Sequence, residues 1–277
     1  MKQFTTLDFE IKNKLIVLKC NINDVNRTFI LDSGAPKVIL NSKYQERMNY
    51  EKYEGRELKG ATGVISQIVQ KKIDRLCCGN VEKRDIESLV MELSQLEEAI
   101  QDEVYGLIGY DFFSEYNVYL DYPNLKLGFW NDVQCEEFLS KNTYQFYNFR
   151  MEKHLPIIEC KIGRTLCQMA LETGANTNLV DIKLQSSLNK SINFVEEESN
   201  IIGANDDSTM STYKTGSMKN LEVEGLGNFT EMNTVFADVS NLNQNSSIKI
   251  QGILGYELLY KQRVIIGFTR HKLYVLR

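Results

Sequence analysis

Two short stretches hold the residues best suited to chemistry. Asp32-Ser33-Gly34-Ala35 follows the apolar Phe29-Ile30-Leu31, and Glu172-Thr173-Gly174-Ala175 follows Ala170-Leu171. In each, an apolar run delivers a carboxylate to a tight turn. Glycine lets such a turn take positive φ, so that turn amides and the Ser33 hydroxyl can point back at the carboxylate. A single Asp-Ser-Gly turn is common loop chemistry. Two acid-hydroxyl-glycine-alanine turns in one chain, each with an apolar-apolar-glycine segment downstream, are a far stronger sign of paired acids at work.

The elements that must position these turns are themselves repeated. Leu15-Ile16-Val17-Leu18-Lys19-Cys20 stands 140 residues before Leu155-Pro156-Ile157-Ile158-Glu159-Cys160, the same offset as between the two turns. Gly60-Ala61-Thr62 faces Gly203-Ala204-Asn205 at an offset of 143. Tyr105-Gly106-Leu107-Ile108-Gly109-Tyr110 faces Gln251-Gly252-Ile253-Leu254-Gly255-Tyr256 at 146. Offsets that grow only by small insertions indicate one ancestral unit present twice. Asn131, Asp132 and Asn142 interrupt the apolar pattern between the copies, which places a first lobe over residues 1–132, a connection over 133–149 and a second lobe over 150–277.

Each unit reads as short strands. Leu15–Leu18, Phe29–Leu31, Val38–Leu40 and Val118–Leu120 are apolar blocks bounded by Asn, Asp, Gly and Lys. Met91–Val104 puts Leu93, Leu96 and Ile100 on one helical face, and its counterpart Asp238–Ile248 reads as a turn or short helix. With three prolines and no alternation of strands with helices, the expected fold is mainly β in two compact lobes.

At these residues the chain resembles the retropepsin-like aspartic proteases, including bacterial members with two fused lobes. Leu31-Asp32-Ser33-Gly34-Ala35, Gly60-Ala61-Thr62-Gly63 and Gly106-Leu107-Ile108-Gly109 carry the resemblance in the first unit. Glu172-Thr173-Gly174-Ala175, Gly203-Ala204-Asn205 and Gly252-Ile253-Leu254-Gly255 carry it in the second. It implies two β-barrel lobes related by a pseudo-two-fold axis, with the loops meeting at the axis and Ser33 and Thr173 tying them together. It implies flaps at Gly60, Ala61, Thr62, Gly63 and at Gly203, Ala204, Asn205 that close over a bound peptide. It also implies catalysis by two acids, Asp32 and Glu172, about 3 Å apart that share a proton and activate a water. Neither a metal nor an organic cofactor is required, and a chain holding both lobes is expected to work as a monomer.

The family pattern has Asp in both loops, and Glu172 departs from it. The extra methylene carries the carboxylate outward by about 1.5 Å if the backbone stays in place. A misplacement of about 1 Å can cost about 100-fold in rate. The leading reading is an aspartic-type peptidase with an Asp–Glu pair. The alternative is a pseudo-peptidase that binds peptides without cutting them. Pairing of Asp32 with Asp32 of a second copy is opposed by the second unit, which already fills that interface. Ala35 and Ala175 offer the pair no hydroxyl, so its pKa is depressed less and activity is expected nearer neutral pH than in a digestive enzyme.

The net charge of −5 and pI near 5.3 argue against nucleic acid as the main partner. No run approaches the roughly 18 apolar residues of a membrane span. Asp8 and Glu10 precede Leu15–Leu18, which is too short for the core of an export signal; a cytoplasmic location is the expectation. The six cysteines lack a C-x-x-C pair and are expected as free, mostly buried thiols. Asp121 reads as a turn acid, and Trp130 as packing between the lobes. His154 occupies the repeat position of Lys14, which suggests no paired catalytic role for it.

Overall fold

The computed structural model describes residues 4–45, 51–52, 58–60, 64–65, 68–188, 190–200 and 212–277. The protein is mainly β, with two barrel-like lobes and a six-stranded sheet that both lobes share.

In the first lobe, Leu15–Ile22 and Val25–Leu31 form a hairpin around Asn23-Asp24, both in the left-handed region. That turn geometry matches the twist of the flanking strands. From Val25–Leu31 the sheet runs through Gly106–Ile108, Ile39–Asn41, Val81–Met91 and Val69–Cys78. It then closes on Leu15–Ile22 through the pairs Asn21–Cys77 and Ile22–Leu76. Closure removes the exposed edge that an open sheet would present.

The second lobe repeats the path through Leu155–Ile162, Thr165–Leu171, Gly252–Leu254, Asn178–Asp181, Met232–Ala237 and Thr212–Met218. Here the long outer strands are broken. Thr212–Met218 stops, and a separate piece, Leu221–Val223, pairs with Leu155–Ile162. Gly227–Phe229 and Met232–Ala237 replace what is a single strand, Val81–Met91, in the first lobe.

The duplication is written into the cores. Leu15, Val17, Ile30 and Ile39 pack together in one lobe, and Leu155, Ile157, Ala170 and Leu179, each 140 residues on, pack together in the other. Leu89, Met91, Leu93 and Leu107 likewise correspond to Val235, Ala237, Val239 and Ile253 at the offset of 146. The expected helical segments appear as an α-helix at Ser94–Ile100 and a 3-10 turn at Ser240–Asn243.

Between the lobes, Asn117–Asp121 and Lys126–Trp130 of the first unit pair edge to edge with Arg263–Gly267 and Lys272–Leu276 of the second. Leu7–Asp8 and Tyr144–Asn148 complete the sheet. Trp130, fully buried, stacks on Tyr119 at 4.4 Å in a cluster with Ile265, Tyr274 and Leu276 from the other unit. Asp121 is the turn acid expected, accepting from the Asn124 N–H and the Tyr119 hydroxyl.

The cysteine expectation needs correction. Cys20 and Cys78 form a disulfide, with Cα atoms 4.7 Å apart, while Cys77, Cys135, Cys160 and Cys167 are free. The pairing follows from barrel closure: with Asn21 opposite Cys77, Cys20 falls opposite Cys78. Among the described residues, no helix is long and apolar enough to cross a membrane.

Candidate active site

Each acid sits one residue past the end of a buried strand. Val25–Leu31 runs parallel to Gly106–Ile108, and the Asp32 N–H donates to the Ile108 carbonyl at 3.0 Å. Thr165–Leu171 runs parallel to Gly252–Leu254, and the Glu172 N–H donates to the Leu254 carbonyl, again at 3.0 Å. These crossings explain the paired glycines: a Cβ at Gly106 or Gly252 would lie 2.2 or 2.1 Å from the carbonyl oxygen of Ile39 or Leu179. Behind the loops, the Ala35 and Ala175 carbonyls accept from the Tyr110 and Tyr256 amides, which open two short helices.

The loops grip each other. The Ser33 N–H donates to Thr173 Oγ1 and the Thr173 N–H to Ser33 Oγ, both at 3.0 Å. Thr173 Oγ1 donates in turn to the Leu31 carbonyl at 3.3 Å. Ser33 and Thr173 are buried, so these bonds form away from competing water. The Ser33 hydroxyl therefore reaches across to the other loop rather than back to Asp32, whereas the Gly34 amide does turn back, to Asp32 Oδ1 at 2.8 Å.

Gly34 was expected for positive φ, and neither it nor Gly174 takes it; among the described residues the positive-φ glycines are Gly79, Gly163, Gly225 and Gly227. The requirement is space. A Cβ at Gly34 would lie 2.2 Å from Glu172 Oε1, and one at Gly174 would lie 2.2 Å from Asp32 Oδ1. Each carboxyl group rests on the glycine of the opposite loop. The distances from these positions are 2.3 and 2.9 Å to Glu172 Cδ and Cγ, and 2.5 and 3.1 Å to Asp32 Cγ and Cβ. The last atoms of the longer side chain thus approach the opposite glycine as those of Asp32 do, and the methylene is absorbed nearer the backbone.

Both acids are half-buried at the lobe junction, and both pKa values are raised. For Asp32 the cause is burial, opposed by the Gly34 and Ala35 amides. For Glu172, burial first and the nearby Asp32 charge second push the carboxyl up to about 8. No backbone amide among the described residues supports the Glu172 carboxylate. Removing a carboxylate from water without compensating hydrogen bonds favours its neutral form.

One contact was missed in the sequence. His154 Nε2 lies 2.7 Å from the Gly34 carbonyl, crossing from one lobe to the loop of the other. Of the expected flap residues, Gly60 is half-buried beside the strand Leu58–Lys59. Ala61, Thr62, Gly63, Gly203, Ala204 and Asn205 lie outside the described residues. Among the described residues, no group of three His, Cys, Asp or Glu could hold a metal ion.

Two barrel lobes, interlocked loops and facing acids define the acid-protease class of fold. Residues 18–112 match the sequence family described as aspartyl protease. The solved structure of basic 7S globulin from soybean is similar over 98% of this chain and 94% of that one, with a TM-score of 0.54 and 9% identity, a likeness of fold. No curated protein matches the chain. The structural likeness supports the fold, and the family match concerns residues 18–112 alone.

Proposed function

We propose that the protein is an aspartic-type endopeptidase in which Asp32 and Glu172 activate one water between them. The observation that carries this reading is the matched approach of the two carboxyl groups to the opposite glycines, despite the extra methylene of Glu172.

The surroundings divide the roles. Amides favour the charged form of Asp32, whereas burial and the Asp32 charge hold Glu172 protonated. Asp32 then takes a proton from the water as its oxygen bonds to the scissile carbonyl carbon. Glu172 gives its proton to the carbonyl oxygen, leaving a neutral gem-diol. In the second half, the Asp32 proton passes to the amide nitrogen as the C–N bond breaks. One hydroxyl of the diol returns its proton to Glu172, and the acid and amine products leave. The substrate is a peptide or protein, no cofactor enters, and the two lobes of one chain suffice.

The test is cleavage of a diverse peptide library between pH 4 and 8, read by mass spectrometry, with Asp32→Asn and Glu172→Asp beside the wild type. Loss of a general base should lower the rate by about 100-fold or more in Asp32→Asn. Glu172→Asp should also be slower, because the shorter side chain draws its carboxyl back from Gly34. An inactive wild type that gains activity in Glu172→Asp would establish the peptide-binding alternative instead.

A further inference from the structure

We propose that His154 is a positioning residue for the first active-site loop, holding the Gly34 peptide so that its amide stays aimed at Asp32; this rests on the peptidase reading above. Gly34 is where three constraints meet. Its N–H donates to Asp32 Oδ1 at 2.8 Å, its α-carbon lies under the Glu172 carboxyl group, and its carbonyl is 2.7 Å from His154 Nε2. A carbonyl can only accept, so Nε2 carries the proton. Burial lowers the His154 pKa, opposed by the bond to Gly34 and assisted by the neighbouring Lys153 charge, which favours the neutral imidazole with its proton on Nε2.

The fold explains why this residue reaches the loop. His154 lies in the turn between Arg150–Glu152 and Leu155–Ile162, where Lys153 has φ 57°. The same turn in the first lobe, Asn13-Lys14, also points into the opposite lobe. There Lys14 Nζ bonds Glu257 at 2.7 Å and lies 5.9 Å from the Tyr256 ring centroid. His154 correspondingly packs 6.2 Å from Tyr110, the repeat partner of Tyr256. Both turns therefore stitch the lobes together. Only the His154 turn takes hold of an active-site loop, and it is the loop whose amides favour the charged acid.

His154→Leu removes the donor while keeping bulk, and His154→Gln restores a donor near the Nε2 position. With a cleaved peptide as substrate, His154→Leu should lower kcat about tenfold with KM little changed, and His154→Gln should recover most of the loss. The Gly34 amide resonance in 1H–15N spectra provides a readout independent of activity. It should move in His154→Leu and return toward its wild-type position in His154→Gln. A Gly34 resonance unmoved in His154→Leu would overturn the proposal, as would a kcat that both variants lower equally. A wild type that cleaves nothing would count against the peptidase reading, while the Gly34 resonance would still decide whether His154 holds this loop.

Discussion

In the first lobe, Asp32 accepts an amide from its own loop, and that loop is held from behind by an imidazole of the other lobe. In the second lobe, Glu172 has the longer side chain and no supporting amide among the described residues, and the turn equivalent to that of His154 spends its charge on Glu257 instead. The outer barrel differs in the same sense. Val69–Cys78 and Val81–Met91 are continuous and are closed by a disulfide, while their second-lobe counterparts are broken into four pieces around Lys219-Asn220 and Thr230-Glu231. Duplication thus left a half with continuous outer strands and a half with interrupted ones. On the proposed reading, the first half holds the acid that starts charged and the second holds the acid that starts with the proton.

The comparison can be broken most sharply at the two glycines. Alanine at 174 would put a Cβ 2.2 Å from Asp32 Oδ1, and alanine at 34 would put one 2.2 Å from Glu172 Oε1. Neither overlap is tolerable, so a carboxyl group must move. Displacement by about 1 Å is expected to cost about 100-fold in kcat/KM for Gly174→Ala. Asp32 is short and fixed by an amide, whereas Glu172 has a further torsion through which to retreat. Gly34→Ala should therefore lose less, by about tenfold on the same scale. Equal losses would mean that the two acids are held equally firmly.

Stability offers a second point of attack. The Cys20–Cys78 bridge closes a sequence separation of 58 residues across the seam of the first barrel. Cys160 occupies the repeat position of Cys20, but across the equivalent seam the register carries it to the buried Val223, and its partner on the hairpin side, Cys167, stays a free thiol. Cys20→Ala should lower the unfolding free energy by about 2–4 kcal/mol through the freed unfolded chain. Cys160→Ala should cost only about 1 kcal/mol, the scale of a small deletion from a core. Guanidinium unfolding of both variants measures the difference, and comparable losses would argue against the bridge as a source of extra stability in the first lobe.

These features differ in how far they could be read from residues alone. The duplicated core was legible because each inward-facing residue recurs at a fixed offset, as Ile30 does in Ala170 and Leu107 in Ile253. The loops were legible because acid, hydroxyl and glycine recur together. The shared sheet was not, since the pairing of Val118 with Ile266 depends on how two finished lobes meet. The disulfide was missed for a similar reason: Cys20 meets Cys78 only once the barrel closes in one register. Gly34 was placed correctly for the wrong physical reason, since the sequence suggests conformational freedom where the fold needs room for a facing carboxyl group. His154 carried one faint signal, a polar residue at the repeat position of Lys14, and the partner of that contact is a backbone carbonyl, which no sequence pattern marks.

The smallest expected effect separates function from stability at Glu172. The Glu172 pKa is raised from 4.5 to about 8 in the folded protein by burial and by the Asp32 charge. A group with a raised folded pKa contributes stability that is fully present below its unfolded value and is lost as pH climbs through the folded one. Wild type should thus lose stability between about pH 4.5 and pH 8 relative to Glu172→Gln, whose side chain does not titrate. At pH 8 the variant should be the more stable, with the higher Tm, and at pH 4 the two should nearly coincide. His154 acts in the opposite direction, because its pKa is lowered and its contribution is lost on acidification. That loss is common to wild type and variant and cancels in the comparison. A Tm difference that stays constant from pH 4 to 8 would mean that Glu172 is not held protonated, and the division of roles between the lobes would fail with it.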